Sequence, residues 1–250
     1  QTIKKKHRWP IWAASAAAAL ALTAGAVWGL TGAYGTDSLI SIDVNPSIEL
    51  ATNRYEKVLR VTALNDDADR ILDGMDLKGT DLHVAMNALI GSMVKNGYID
   101  EIRNSVLVSV DSKNSTRAAA LQDELAADIQ QALESSAISA AVLKQSVEED
   151  DALHSLAEQY GISSGKAALI QQLSQQDPTL NLDELAAMNI NDLSLLALAK
   201  DPDIQGAVSG TVSDKAYIGL EKAREIALAK QPDGTIKEIS FDFENGRAVY

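Results

Sequence analysis

The chain has 250 residues, a net charge of −13, no cysteine and 4% aromatic residues. All 35 Asp and Glu lie at or after Asp37, whereas four of the 22 Lys and Arg (Lys4, Lys5, Lys6 and Arg8) open the chain, so residues 37–250 hold 18 cations against 35 acids, a net −17. This excess argues against a nucleic-acid surface, which needs a clustered basic face, and the missing thiols exclude a disulfide framework, thiol catalysis and cysteine-held metal.

Residues 10–35 contain no charged side chain, and all three tryptophans, Trp9, Trp12 and Trp28, lie within this stretch or at its edge. Such a run can cross a bilayer as a helix, which takes ~20 residues, and indole suits the interface. Cations before it and acids after it place residues 1–9 in the cytoplasm and residues 37–250 outside. A cleaved signal peptide is the rival, but its apolar core usually runs only ~7–15 residues. Gly25 and Gly29 stand at GxxxG spacing, which would permit weak self-association of spanning helices, although an Ala/Gly-rich segment also produces that spacing by chance. The first residue is Gln rather than Met, so a preceding segment is expected.

Residues 39–50 alternate: Ile40, Ile42, Val44, Pro46, Ile48 and Leu50 share one face, and Ser41, Asp43, Asn45, Ser47 and Glu49 the other. Period two predicts one half-buried strand. Residues 53–57 read as a turn and Val58–Leu64 as a second strand, giving a hairpin over 39–64. Ala68, Ile71, Leu72 and Met75 recur at helical spacing up to the Gly74–Gly79 region. Asp81 is placed to cap a helix carrying Leu82, Met86, Leu89 and Met93, closed by Asn96–Gly97. Ser105–Val110 predicts a third strand, and Asn114 or Ser115 caps a helix with Leu121, Leu125, Ile129 and Leu133 in one stripe. The expected class is α+β: a transmembrane helix, then a small three-stranded sheet with helices on one face. Short helical patterns make 137–200 a helical extension of the ectodomain spanning 37–200, and 201–213 reads as a linker. From Asp214 a helix is followed by a strand with Ile239, Phe241 and Phe243, then the hairpin signal Asn245–Gly246. This last unit is too small to be stable alone and is expected to continue beyond Tyr250.

Pro46 stands out because a strand interior normally excludes a residue that cannot donate a ladder hydrogen bond. An edge strand or bulge with a harmless proline is one account. A functional or strained site is the other. The Asn45–Pro46 pair has its own chemistry. Proline nitrogen carries no hydrogen, so ordinary deamidation is blocked. The cyclisation left open is attack by the Asn45 side-chain nitrogen on its own backbone carbonyl, which forms a succinimide and expels Pro46 as an amine. The step is intramolecular but needs a distorted peptide and stabilised oxyanion. Asp43, Ser47 and Thr62 are possible helpers, and the residues alone do not choose among them.

The run SLISIDVNPSIELATNRYEKVLRV, followed by Gly74, Gly79, LHVAMNALI and LAEQYGISSGKAALIQQL, resembles the membrane-anchored part of RsgI-type anti-sigma factors over roughly residues 1–200. The resemblance implies a bacterial, single-pass membrane protein. Its cytoplasmic domain, absent from this sequence, would hold a SigI-type sigma factor, and its ectodomain would cut itself between Asn45 and Pro46. The halves would stay paired until a signal parts them and an intramembrane protease frees the sigma factor. Residues 214–250, with S-D-K-A, A-R-E-I-A and N-G-R, are similar to the start of a PepSY domain. That likeness implies the alternative of a membrane-tethered binding or peptidase-inhibitor module without self-cleavage. Apart from a single self-turnover, no enzyme activity, cofactor or metal is expected. Gly161–Gly165 fits G-x-S-x-G, but a helix rather than a strand precedes it. His7, His83 and His154 lack metal-ligand spacing.

Overall fold

The computed structural model describes residues 32–112, 114–147, 150–200, 208–210, 219–232, 234–239, 242–244 and 247–249. The span expected over 10–35 therefore lies, except for its last four residues, outside the described residues, as do Gly25 and Gly29. Among the described residues no helix is long and apolar enough to cross a membrane. Residues 32–34 form a helical turn, tied to the body where Asn53 Nδ2 donates to the Ala33 carbonyl at 2.7 Å.

The alternating segment is not one strand. It is two, Ser38–Asp43 (β1) and Ser47–Thr52 (β2), paired antiparallel with Ile42 opposite Ile48 and Ile40 opposite Leu50. Pro46 sits in the turn between them and not inside a ladder, which removes the conflict with proline's missing N–H. Val58–Ala63 (β3) pairs with the far edge of β2, with a register irregularity at Ala51/Thr52. Ser105–Ser112 (β4) lies on the other side of β1, so β1 is paired along both edges.

Asp66–Leu72 (α1) and Leu82–Lys95 (α2) follow β3, and both are capped: Asn65 accepts from the Ala68 N–H, and Asp81, as expected, from the His83 N–H. Ser115–Glu134 (α3), capped by Asn114, carries the chain from β4 to Ala141–Ser146 (β5), which runs parallel to β4. A parallel neighbour requires such a crossover. Val208–Gly210 (β6) pairs antiparallel with β5. Among the described residues the sheet thus has six strands in the order β3-β2-β1-β4-β5-β6, not three. β5 falls within the expected helical extension and β6 within the expected linker. Ala140–Leu143 is buried throughout, and a parallel strand covered on both faces shows no alternation to read.

Helices also cover both faces, not one. Ile40, Ile42, Ile48, Leu50, Val106 and Val108 pack with Met86, Leu89, Leu125 and Ile129 from α2 and α3. On the other face, Leu107 and Leu143 pack under a second layer made of Asp151–Tyr160 (α4), Ser164–Gln176 (α5), Leu182–Ala187 (α6) and Ile190–Lys200 (α7). The polar side of β1 is consequently buried beneath α5. A Cβ on Gly165 would lie 2.0 Å from Ser109 Oγ and 2.9 Å from Ser41 Oγ. Further along, Gly219–Lys230 (α8) precedes a separate two-stranded ladder of Asp242–Glu244 (β7) and Arg247–Val249 (β8). The Asn245–Gly246 turn signal lies outside the described residues.

Candidate functional site

The site is the turn Val44-Asn45-Pro46. Asp43 and Ser47 form the last rung of the β1–β2 ladder, and inside it the Val44 N–H donates to the Pro46 carbonyl at 2.9 Å. Asn45 has φ +132°. Glu56 and Ala137 also have positive φ, at 56° and 59°, but these values fit the small left-handed well open to L-residues. Asn45 lies outside it, in a region used essentially by glycine, and holding a side chain there costs about 1–3 kcal/mol. Asn45 is exposed, while Val44 and Pro46 on either side are buried. The strain therefore falls on the residue whose side chain is expected to react.

Beneath the turn lies a buried polar cluster. The Asp43 carboxyl is fully buried and accepts from Ser163 Oγ at 2.6 Å. Burial pushes its pKa above the ordinary aspartate value, against the opposing pull of the Ser163, Ser47 and Ser41 hydroxyls and the Lys166 charge. Asp43 Oδ1 and Ser41 Oγ nonetheless lack an aligned hydrogen-bond partner. A carboxyl raised in this way keeps its proton to higher pH and can donate it. Lys166, also buried, points its ammonium at the end of α6, donating to the Ala186 and Met188 carbonyls at 2.8 and 2.6 Å. Its pKa is lowered, chiefly by desolvation, with the nearby Asp43 opposing.

On its exposed side Asn45 borders a small cleft lined by Val44, Tyr98, Arg103, Ser105, Asn189 and Asn191. These groups support one another. Ser105 Oγ donates to Asn191 Oδ1 at 3.1 Å, Tyr98 donates to Asp67 at 2.9 Å, and Arg103 pairs with Asp100 at 2.6 Å. The Ile190 N–H, at the start of α7, donates to the Val44 carbonyl at 3.0 Å.

The helpers named from sequence are not brought together equally. Asp43 and Ser47 flank the turn. Thr62 lies opposite Glu49, two residues along β2 from Ser47 and away from the bond. Ser47 is held instead by Asn65, whose Oδ1 accepts from the Ser47 N–H at 3.4 Å as well as capping α1. Ser163 is the N-cap of α5, and sequence reasoning missed its bond to Asp43. It missed Lys166 and Ile190 entirely. The signal available for Lys166 was a lone cation inside an otherwise apolar helical stripe. For a backbone N–H there was none.

The family model of the anti-sigma factor RsgI-like central domain matches residues 37–172. The chain belongs to this family. Among curated relatives it is similar to the anti-sigma-I factors RsgI9 and RsgI7 of Acetivibrio thermocellus, 31% identical over 159 residues and 24% over 157. Each alignment covers 62% of this chain, and 22% and 28% of the relative. The anti-sigma-I factor RsgI of Bacillus subtilis is 26% identical over 89 residues, 34% of this chain and 23% of its own. The chain thus spans about a quarter of the length of these RsgI relatives. In RsgI terms the matched central domain holds the whole β1–β4 sheet, β5 and the Asn45 turn. It ends inside α5, before the α6–α7 segment that meets the turn.

Proposed function

We propose that this chain is the membrane-anchored, extracytoplasmic part of an anti-sigma factor acting on a SigI-type sigma factor, and that it cuts itself between Asn45 and Pro46. The anchor is residues 10–35, with residues 1–9 cytoplasmic and the ectodomain at 37–200 outside a bacterial membrane. Family membership supports the anti-sigma role, and similarity to anti-sigma-I factors supports the sigma-I assignment. One observation carries the self-cleavage: a non-glycine residue at φ +132°, followed by proline, at the tip of a hairpin.

In the reaction the Asn45 side-chain nitrogen bonds to the Asn45 carbonyl carbon, and the C–N bond to Pro46 breaks. The proton lost by the attacking nitrogen is balanced by one gained at the proline nitrogen. Asp43, with its raised pKa, and the hydroxyl of Ser47 stand at the two strand ends where such a proton could pass. The products are residues 1–45 ending in a succinimide and residues 46–250 beginning with a free proline amine. After a signal separates the two, an intramembrane protease would cut the anchor and release the sigma factor.

We assign residues 214–250 to a PepSY-like unit that follows β6. The succession of α8 and the β7–β8 ladder supports that assignment. As a second reading, the unit alone would make the chain a tethered binding or inhibitor module.

Denaturing electrophoresis with intact mass analysis tests the main reading. Purified chain should give two fragments meeting at Asn45–Pro46, and the Asn45→Ala variant a single one. Unbroken wild-type chain after prolonged folding at several pH values would leave only the tethered-module reading.

A further inference from the structure

We infer that the connection between α6 and α7 positions the Asn45 turn for self-cleavage, through the hydrogen bond from the Ile190 N–H to the Val44 carbonyl. The inference rests on the self-cleavage reading above. It adds a part of the chain that lies beyond residue 172, where the match to the RsgI-like central domain ends.

Both backbone polar groups of Val44 are fixed. Its N–H bonds within the turn to the Pro46 carbonyl at 2.9 Å, and its carbonyl accepts from Ile190 at 3.0 Å. The peptide plane entering Asn45 is therefore set from outside the hairpin. A residue strained like Asn45 relaxes unless its surroundings over-determine it. A three-residue turn with a single internal bond is a weak constraint. A donor on a packed helix is a strong one.

Ile190 is the first residue of α7, so its N–H is one of the groups that a helix start leaves without an internal partner. The neighbouring Asp192 N–H is taken by Asn189 Oδ1 at 2.9 Å. The connection itself is anchored twice: by Lys166 on the Ala186 and Met188 carbonyls, and by Ser105 on Asn191. Lys166 and Ile190 are positioning residues in this scheme, since neither touches the Asn45–Pro46 bond. Intramolecular attack depends steeply on placement, with a 1 Å error worth on the order of a hundredfold.

The test follows the cutting of the full chain after refolding from denaturant, by mass spectrometry of the new Pro46 terminus, with thermal unfolding recorded in parallel. Ile190→Pro removes the donor at a helix position where proline is well accepted. Ile190→Val trims the side chain and keeps the N–H. Lys166→Met frees the connection without touching α7. Ile190→Pro and Lys166→Met should cut at least roughly tenfold more slowly at temperatures where both remain folded, and Ile190→Val should cut at the wild-type rate. A folded Ile190→Pro cutting as fast as wild type overturns the inference, as does an Ile190→Val slowed equally. Should Ile190→Pro not fold, a folded Lys166→Met with wild-type kinetics overturns it. A wild type that never cuts sinks the self-cleavage reading and this inference with it. A wild type that cuts beside unaffected variants sinks only the positioning role.

Discussion

Asp43 and Ser47 face each other across the last rung of the β1–β2 ladder, so a break at Asn45–Pro46 severs the turn and leaves every rung in place. β1 would then be a separate peptide held between β2 and β4, paired over Ser38–Asp43 on both edges. Its Ile40 and Ile42 are completely buried, and burying each such side chain is worth about 1.5–3 kcal/mol. Cut protein should therefore elute as one species from a sizing column in mild detergent and separate into two only on unfolding. Separation under native conditions would contradict this.

Asn45 can be replaced in two ways that both remove the side-chain amide. Neither Asn45→Gly nor Asn45→Ala should cut, but only glycine adopts φ +132° without strain. Asn45→Gly should therefore be the more stable of the pair by about 1 kcal/mol, read as a higher urea midpoint with an unchanged slope. Equal midpoints would mean that the turn relaxes once the amide is gone.

Gly165 packs α5 onto the sheet, and the space for a Cβ is already filled by Ser109 Oγ at 2.0 Å and Ser109 Cβ at 2.5 Å. Gly165→Ala must push the helix outward despite alanine's better helix propensity. It should lose about 1–3 kcal/mol in chemical denaturation. The same substitution at Gly91, a helical position with open space around its Cβ, should instead be stabilising by up to ~1 kcal/mol.

Asp43 gives a pH dependence whose sign follows from burial. Its folded pKa is raised, so the folded state binds more protons than the unfolded one between the ordinary aspartate value, ~3.9, and the raised value. Stability contributed by this residue is present at low pH and is lost as pH climbs through that window. Asp43→Asn, whose carbonyl oxygen can still accept from Ser163, should flatten this part of the profile of urea midpoint against pH. A variant with the wild-type slope would show that Asp43 ionises freely.

His83 acts at the other end of the sheet with a different window. Its Nδ1 contacts Asp128 Oδ2, and Nε2 lies 3.6 Å from Glu56. The hydrogen bond to Asp128 is the chief reason its pKa is raised; partial burial opposes this, and the Asp128, Asp81 and Glu56 charges add to the rise. The stabilisation is complete below the unfolded value, ~6.5, and is lost as pH rises through the folded value. His83→Gln should remove the fall in melting temperature that wild type shows over that range, and an unchanged fall would assign it to other groups.

The sequence alone marked the helix caps at Asp81 and Asn114, the β4 strand and the chemical character of the Asn45–Pro46 pair, because each is encoded by neighbours a few residues apart. It could not separate one long strand from a hairpin in residues 39–50. In a ladder pairing residue 42 with 48 and 40 with 50, even positions meet even positions, so the alternation passes through a three-residue turn undisturbed. Only the proline marked the bend. Tertiary structure alone decided that β1 is interior, that its polar face is covered by α5, and that Ser163, Lys166 and Ile190 converge on the turn. The Asp43–Ser163 and Val44–Ile190 contacts join positions more than a hundred residues apart, and the β1–β4 pairs join positions more than sixty apart. They depend on side-chain volume and backbone hydrogen bonding across the sheet, which leave no periodic trace along the chain.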